Sequence, residues 1–172
     1  TIFPKNNDTG ISAINGAVSL FSDQTGELEA FIDFHLLTKW KTAADSLLAT
    51  KHLARKNSQK ILLVGSGNMS SAMVAAYKTI FPNANYYVWS RSLKNASLFS
   101  KKHAATLVEN LKKGVEEADI ICTATMSIKP LIKGDWLQPG QHLDLIGSYR
   151  PDMREIDDIA IKKGSVYVDS FD

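Results

Sequence analysis

The segment Lys60–Met73, KILLVGSGNMSSAM, constrains the fold of this 172-residue chain more than any other. Its apolar run Ile61–Val64 is typical of a strand that is buried on both faces of a parallel sheet. Gly65 permits the sharp turn that leaves such a strand, and a helix is predicted from about Met69 to Ile80. The segment therefore predicts the strand, turn and helix unit from which α/β folds are built.

The same turn has the composition of a phosphate-binding loop. Gly67 has no Cβ, so a phosphate can approach the backbone, and the following helix directs its unpaired N–H groups and the positive end of its dipole at an anion. The third glycine of the G-x-G-x-x-G pattern is replaced by Ser70, at the position that governs packing of helix against strand. Taken alone, the motif is equally compatible with an ordinary strand, turn and helix. The candidate phosphate contacts are Gly65, Ser66, Gly67, Asn68 and Met69.

A second strand indicates which dinucleotide such a site would prefer. In dinucleotide-binding folds, an acid near the end of the second strand holds the ribose hydroxyls of NAD. Here the predicted strand Asn85–Trp89 is followed instead by Ser90, Arg91, Ser92 and Lys94. An acid would repel a 2′-phosphate, whereas a guanidinium group and hydroxyls can bind one. The sequence therefore favours NADP, with NAD as the alternative.

Charge is distributed unevenly along the chain. Between positions 46 and 108 there are nine Lys and Arg residues and no Asp or Glu, whereas twelve of the eighteen acids lie from position 109 onward. Most of these cations are expected to be solvated helix residues, and only Arg91 and Lys94 stand where nucleotide binding needs a positive charge. The formal net charge of +2 gives no reason to expect nucleic acid or a membrane surface as a partner.

Composition and cysteine usage set broad limits. With 44% hydrophobic residues, the chain can bury the core of one domain, or of one domain with an appendage. No apolar run approaches the roughly 18 residues of a membrane span, and no signal-peptide pattern opens the chain. The single Cys122 fits a reducing cytoplasm and is expected to be a small core residue. The four histidines show no ligand spacing, so no metal site is indicated.

The remaining pattern predicts a doubly wound sheet preceded by a hairpin and a long helix. Ile11–Asp33 alternates around a turn-forming Asp-Gln-Thr-Gly, which indicates a β-hairpin. Thr38–Arg55 repeats apolar residues at helical spacing behind Thr38, a good N-cap. Strands and helices then alternate, which favours a Rossmann-type parallel sheet with right-handed crossovers. Further strands are predicted at Ala105–Val108, Ala118–Ala124, His142–Ile146 and Ser165–Asp169. One helix is predicted at Leu93–Lys102, and another follows the strand at 105–108 and ends at about Glu117.

Two polar segments lie where ligands bind in such folds, at the carboxyl ends of strands. The first, Thr123–Ser127, contains Thr125 and Met126, whose hydroxyl and backbone groups are candidates to meet the cofactor ribose or nicotinamide. The second, Gly147–Glu155, crowds polar groups without helical or strand alternation, which indicates a shaped loop. For each segment, the alternative is a polar loop whose side chains only cap helices and form turns.

Five segments occur together in the order and spacing of one family. The chain resembles the ornithine cyclodeaminase and mu-crystallin family, which also contains alanine dehydrogenases and cyclic ketimine reductases. The resemblance covers nearly all 172 residues, and the linked motifs are far more specific than a glycine loop alone. The motifs that carry it are Thr38–Ala44 (TKWKTAA), Val64–Gly67 (VGSG), Trp89–Ser92 (WSRS), Asp135–Gly140 (DWLQPG) and Ile146–Asp152 (IGSYRPD).

The resemblance also implies a domain organisation. Family members are nearly twice as long and contain a dimerising, substrate-binding domain built from segments before and after the nucleotide domain. By this comparison, residues 1–37 form part of the substrate and dimerisation domain, 38–57 a connecting helix, and 58–172 the NAD(P)-binding Rossmann domain. The chain is therefore expected to lack family segments at both ends, and to form a homodimer when those segments are present.

Two departures from the family bear on chemistry. Lys41 stands where the family has an arginine that helps to hold the substrate carboxylate, and lysine keeps the charge without the bidentate fork. Tyr149 stands where cyclodeaminases carry an aspartate implicated in acid and base steps. Mu-crystallin-like members also lack that aspartate, and their Arg-Pro-Asp is matched by residues 150–152. The resemblance further implies cofactor contacts by Thr42, Ile146 and Ser148.

The expectation that follows is an NAD(P)H-dependent reductase of a small cyclic imino acid, such as pyrroline-2-carboxylate or piperideine-2-carboxylate. Lys41 would bind the carboxylate, and Tyr149 or an ordered water would relay the proton. The alternatives are ornithine cyclodeamination or alanine-type amino-acid dehydrogenation and, from another class, a non-catalytic NADP-binding protein like a lens crystallin. The 172 residues by themselves are expected at most to bind nucleotide.

Overall fold

The structure is a computed structural model that describes residues 3, 6, 9–12 and 14–168. It divides into two units, Thr1–Thr42 and Ala43–Asp172. The boundary between the two units falls inside one helix.

A parallel sheet of five strands organises the second unit. In order across the sheet, its strands are β5 (Thr106–Leu107), β4 (Asn85–Trp89), β3 (Lys60–Val64), β6 (Ile120–Thr123) and β7 (His142–Leu145). The chain therefore begins in the middle of the sheet with β3, builds toward one edge, and then returns to build toward the other. All four pairings are parallel, which confirms the predicted doubly wound sheet.

Helices cover both faces of this sheet, which explains why the central strand is apolar throughout. Ile61 and Leu63 of β3 pack in one core cluster with residues of the second and third helices, whereas Leu62 and Val64 pack with Val115 on the opposite face. Residues 61–64 are fully buried. A run without polar alternation is what a strand between two helical layers requires. The helices of this unit are α2 (Asn68–Ile80), α3 (Leu93–His103), α4 (Leu111–Glu117) and α5 (Asp158–Lys163), with a 3-10 helix at Gly134–Trp136.

An antiparallel hairpin and a helix make up most of the described part of the first unit. β1 (Ala17–Phe21) pairs with β2 (Leu28–Asp33), with an irregularity at the end of β1, and this confirms the predicted hairpin. Helix α1 (Phe34–Leu53) begins four residues before the predicted start. The predicted cap Thr38 is wrong, because the Asp33 side chain already accepts a hydrogen bond from the Leu36 N–H at 2.6 Å.

The predicted last strand is also wrong over the residues described. Residues 165–168 form no strand, and their side chains are exposed, Tyr167 by 68%. An extended segment becomes a strand only when a neighbour completes its hydrogen-bond ladder, and among the described residues β7 is the edge of the sheet. Asp169, the final residue of that prediction, lies outside the described residues. The preceding helix α5, which was not predicted, begins at Asp158 after the N-cap Asp157, whose side chain accepts a hydrogen bond from the Ala160 N–H at 2.9 Å.

Within the described ranges, no helix combines the length and the apolar character that crossing a bilayer would require.

Candidate functional site

The candidate site of the second unit lies at the carboxyl edge of the sheet, where the strand order reverses between β3 and β6. Backbone hydrogen bonds continue past the strand ends and hold the following residues side by side: the Gly65 N–H donates to the Trp89 carbonyl at 2.8 Å, and the Ala124 N–H donates to the Val64 carbonyl at 3.0 Å. Ligands of open α/β sheets bind in the crevice at this reversal point.

Gly65 meets two requirements at this edge. Its φ is +115°, a conformation that side chains rarely adopt, and a Cβ at this position would lie 2.7 Å from the Ala124 carbonyl oxygen. The turn was predicted from the sequence, but the close approach of the neighbouring strand end was not. Only glycine satisfies both the backbone conformation and the contact.

The N-terminus of α2 is open toward this crevice. Gly67 is the N-cap in an extended conformation, no side chain caps the helix, and no acid lies in its first turn. A Cβ at Gly67 would meet nothing within 4 Å. By contrast, Ser92, Asn110 and Asp157 cap α3, α4 and α5 with side-chain oxygens. An anion therefore fits in front of α2, where the first-turn N–H groups and the helix dipole favour it.

Ser70 occupies the place of the third glycine. It is fully buried, and its Oγ lies 3.4 Å from where a Gly65 Cβ would stand. In the described part of the chain, this Oγ is the buried side-chain polar atom without a hydrogen-bond partner. The departure from the glycine pattern thus adds a hydroxyl between the helix and the strand end.

Beyond β4, the predicted specificity residues follow one another at the same edge. Ser90 is half-buried, while Arg91 and Lys94 are exposed. The Ser92 hydroxyl accepts a hydrogen bond from the Asn95 N–H at 3.3 Å and begins α3. Arg91 is thus on the surface just after β4, and Lys94 is on the surface in the first turn of α3. Ser92 caps that helix, and its cofactor contact stays a prediction.

A buried carboxylate that sequence reasoning did not single out joins the ends of β6 and β7. Glu155 is 1% exposed. It accepts hydrogen bonds from the Thr123 hydroxyl, the Thr125 N–H and hydroxyl, and the Gly147 N–H, at 2.6 to 2.9 Å. The Thr125 hydroxyl therefore donates to Glu155. The only sequence signal was that Glu155 lies in the polar run from 147 onward.

The loop after β7 carries the other predicted residues. A Cβ at Gly147 would lie 2.1 Å from the Thr125 carbonyl oxygen, so only a glycine leaves room for the loop after β6 at this position. Tyr149 is 47% exposed. The Arg150 guanidinium donates two hydrogen bonds to Asp152, at 2.9 and 2.7 Å, and lowers the pKa of that carboxyl. Ser148 and Met126 are also exposed, and Ile146 packs against the core.

Two predicted residues belong to the first unit. Lys41, which is exposed, and Thr42, which is half-buried, are its last residues and lie on α1. All the other candidate residues lie in the second unit.

A second buried carboxylate, Asp144 on β7, ties helices to the sheet. It accepts hydrogen bonds from the hydroxyls of Tyr77 on α2 and Thr50 on α1. Burial, with added contributions from Cys122 and Asp144, raises the pKa of Tyr77 well above its usual value. The His142 Nε2 lies 3.2 Å from the Thr50 hydroxyl, and burial lowers the pKa of His142 although Asp144 opposes this. Cys122 is fully buried, as predicted.

Comparisons with known proteins agree with this architecture. A Delta(1)-pyrroline-2-carboxylate reductase of Paracoccus denitrificans is 38% identical in an alignment of 176 positions, which covers 99% of this chain and 56% of that protein. Ketimine reductase mu-crystallin of Macropus fuliginosus is 34% identical over 89% of this chain and 49% of its own length. The Delta(1)-pyrroline-2-carboxylate reductase of Thermococcus litoralis, solved with NADH and L-proline, matches with a TM-score of 0.86 at 30% identity, over 94% of this chain and 52% of that one.

The chain thus spans about half the length of these relatives. The sequence profile of the ornithine cyclodeaminase/mu-crystallin family matches residues 1–172. This match covers every residue, and the sheet, the glycine turn and the relatives all agree with it. The chain therefore belongs to the ornithine cyclodeaminase/mu-crystallin family.

Proposed function

We propose that the protein is an NADPH-dependent oxidoreductase that reduces a small cyclic imino acid of the pyrroline-2-carboxylate or piperideine-2-carboxylate type to the cyclic amino acid. The observation that carries the cofactor part of this proposal is the open, uncapped N-terminus of α2 at the reversal point of the sheet. The substrate part is supported by relatives named as pyrroline-2-carboxylate and ketimine reductases.

Residues at the carboxyl edge of the sheet would provide the cofactor contacts. The pyrophosphate would lie against the backbone of Gly65, Ser66 and Gly67 and the first turn of α2, where partial positive charge is available. Arg91 and Lys94, with the hydroxyls beside them, would bind a 2′-phosphate. NADPH is therefore proposed as the preferred cofactor. NADH is the alternative, which the NADH complex of the Thermococcus litoralis relative supports.

The proposed chemistry assigns one task to each protein group. When bound, the nicotinamide supplies the hydride that reduces the C=N carbon. Lys41 holds the substrate carboxylate as a point charge and orients the ring. Tyr149, or a water that it holds, provides the proton at nitrogen. A phenol hydroxyl can donate a proton or relay one from water.

Two further assignments complete the proposal. Residues 1–37, 38–57 and 58–172 are taken as part of the substrate and dimerisation domain, a connecting helix, and the NAD(P)-binding domain. A homodimer through the first of these is supported by large apolar side chains that the β1–β2 hairpin exposes: Leu20, Phe21, Leu28 and Phe31. The single, buried Cys122 supports a cytoplasmic location.

The experiment combines binding with turnover. NADPH and NADH are titrated against the 172-residue chain, and turnover of pyrroline-2-carboxylate, piperideine-2-carboxylate, ornithine and alanine is measured in the longest natural form of the protein. Tighter binding of NADPH and reduction of a cyclic imine are expected. Cyclisation of ornithine with NAD, or oxidation of alanine, would favour the alternative reactions. Binding without any turnover would favour a crystallin-like binding protein.

A further inference from the structure

We propose that Glu155 is a positioning residue, which fixes the loop after β6 and the loop after β7 against each other and so sets the geometry of the nicotinamide half of the site. This inference rests on the proposed function, because it concerns how that site is held. Glu155 itself is buried and is not proposed to touch cofactor or substrate.

The hydrogen bonds of Glu155 come from both loops. Its Oε1 accepts from the N–H and the hydroxyl of Thr125, at 2.8 and 2.6 Å, after β6. Its Oε2 accepts from the Thr123 hydroxyl at 2.6 Å, at the end of β6, and from the Gly147 N–H at 2.9 Å, after β7. One carboxylate thus links segments that are 22 to 24 positions apart in sequence.

Glu155 is itself held in place through its backbone. Its carbonyl oxygen accepts hydrogen bonds from the N–H groups of Leu131 and Ile132, at 2.8 and 3.0 Å. A Cβ added at Gly147 would lie 2.3 Å from Oε1 of Glu155. The carboxylate therefore has no room to shift toward β7, and a change in its shape or hydrogen bonding must move one of the loops.

Each oxygen faces one backbone N–H, and this makes a glutamine replacement informative. A carboxylate accepts at both oxygens, whereas a glutamine amide accepts at one atom and donates at the other. In either orientation, the NH₂ group would face a backbone donor, of Thr125 or of Gly147, that cannot accept. The substitution Glu155→Gln therefore keeps the volume of the side chain and forces one loop away from it.

Replacing Glu155 is expected to affect only the half of the site that would bind the nicotinamide. Met126 follows Thr125 directly, and Tyr149 lies two residues beyond Gly147, so both are attached to the linked loops. The glycine turn after β3 and Arg91 after β4, which would bind the adenosine and phosphate half, have no hydrogen bond with Glu155 among the described residues. A displacement of the loops by about 1 Å costs reactivity on the order of 100-fold where hydride transfer needs close alignment.

The test compares two probes and two buried carboxylates. Binding of NADPH and of adenosine 2′,5′-bisphosphate, which is the adenosine half alone, is measured for the wild type, Glu155→Gln and Asp144→Asn, together with the thermal midpoint of each. Asp144 is the control because it is also a buried carboxylate, but its hydroxyl donors lie on α1 and α2. Turnover of the cyclic imine, as kcat and KM, is measured in the longest natural form.

The expected results distinguish a positioning role of Glu155 from a general effect on the stability of the chain. Both variants lower the thermal midpoint, but only Glu155→Gln weakens NADPH binding, by roughly 10-fold, and lowers kcat/KM by roughly 100-fold. Binding of adenosine 2′,5′-bisphosphate stays unchanged. Equal weakening of both probes, or a similar change in Asp144→Asn, would overturn the inference in favour of a purely structural role.

A milder pair of variants covers the case in which Glu155→Gln does not fold. Thr123→Val removes one hydroxyl donor and keeps the side-chain shape, whereas Thr123→Ser keeps the hydroxyl. The first is expected to lower kcat/KM without changing binding of adenosine 2′,5′-bisphosphate, and the second to retain activity. Equal activity of the two would overturn the inference. If the wild type bound no NADPH at all, the proposed function would fail first, and the inference with it.

Discussion

Single residues decide whether the phosphate loop can form, and the two glycines of that loop do so for different reasons. Gly65 is required by its own backbone, since its φ is +115° and a Cβ would press on the Ala124 carbonyl oxygen. Gly67 has an ordinary φ of −89° and open space in front of it. Gly67 matters because the cofactor phosphate would approach the backbone at this position. A matched pair of alanine substitutions can therefore separate folding from binding.

We expect Gly65→Ala to destabilise the chain by about 1–3 kcal/mol, through the strained backbone and the close contact. Gly67→Ala is expected to leave stability nearly unchanged and to weaken NADPH binding, because the new methyl group would stand where the pyrophosphate approaches. Thermal unfolding and fluorescence titration with NADPH measure the two effects. Equal binding by Gly67→Ala and the wild type would argue against a phosphate at this turn.

Arg91 tests the choice between the two dinucleotides. If Arg91 binds a 2′-phosphate as proposed, replacing it with alanine is expected to lower NADPH affinity by roughly 10- to 100-fold while NADH affinity changes little, because NADH lacks that phosphate. Lys101→Ala, an exposed change near the end of α3, is the control for general loss of positive charge. Parallel titrations with both nucleotides provide the measurement. A similar loss for NADPH and NADH would assign Arg91 another role.

At the scale of elements, the sequence predicted well wherever a local pattern determines the structure. Strands β3 and β4 begin and end at or next to the predicted residues, because a buried apolar run and an adjacent turn specify both. The predicted strand at 165–169 failed over its described residues because its sequence is strand-like but strand formation needs a partner.

Long-range contacts explain the part of the site that sequence could not predict. Glu155 looks like Asp152 in the sequence, since both are acids in one polar loop. Asp152 pairs locally with Arg150, whereas Glu155 bonds with Thr123 and Thr125, about thirty positions earlier. Only the fold brings those groups together, so no spacing rule could have distinguished the two acids.

The start of α1 gives a prediction at the same scale. The Asp33 side chain accepts from the Leu36 N–H and serves as the N-cap, although Thr38 has the better-looking sequence context. Asp33→Ala is expected to cost about 1 kcal/mol of unfolding free energy, whereas Thr38→Ala, inside the helix, should cost little. Urea unfolding followed by circular dichroism measures both. A larger loss for Thr38→Ala would mean that the helix starts later.

For the molecule as a whole, two half-buried histidines couple stability to pH. Burial lowers the pKa of His142 below its ordinary value of 6.5, and burial together with Lys102 and Lys78 lowers that of His103. The unfolded chain therefore binds more protons than the folded chain as the pH falls below about 6.5, so stability is present above that pH and is lost below it. Lowered carboxyl pKa values, such as that of Asp152, act in the same direction at more acidic pH.

We therefore expect the free energy of unfolding to decrease between about pH 7 and pH 5.5, and the slope to become smaller in His142→Gln, which cannot take up that proton. Urea unfolding at several pH values measures the slope. His52→Gln, at an exposed position late in α1, is the control. A slope unchanged by His142→Gln would assign the pH dependence to other groups.

The fully buried Cys122 on β6 allows opening of the sheet to be measured by the rate of thiol modification. The thiol lies on an interior strand of the five-stranded sheet, and burial raises its pKa well above the usual value, so an alkylating reagent has almost no thiolate to attack in the folded state. Modification then requires the sheet to open, and its rate measures how often the sheet does so. Since this is the only cysteine, the labelling signal has a single source, and a bound nucleotide that stabilises the sheet will slow it.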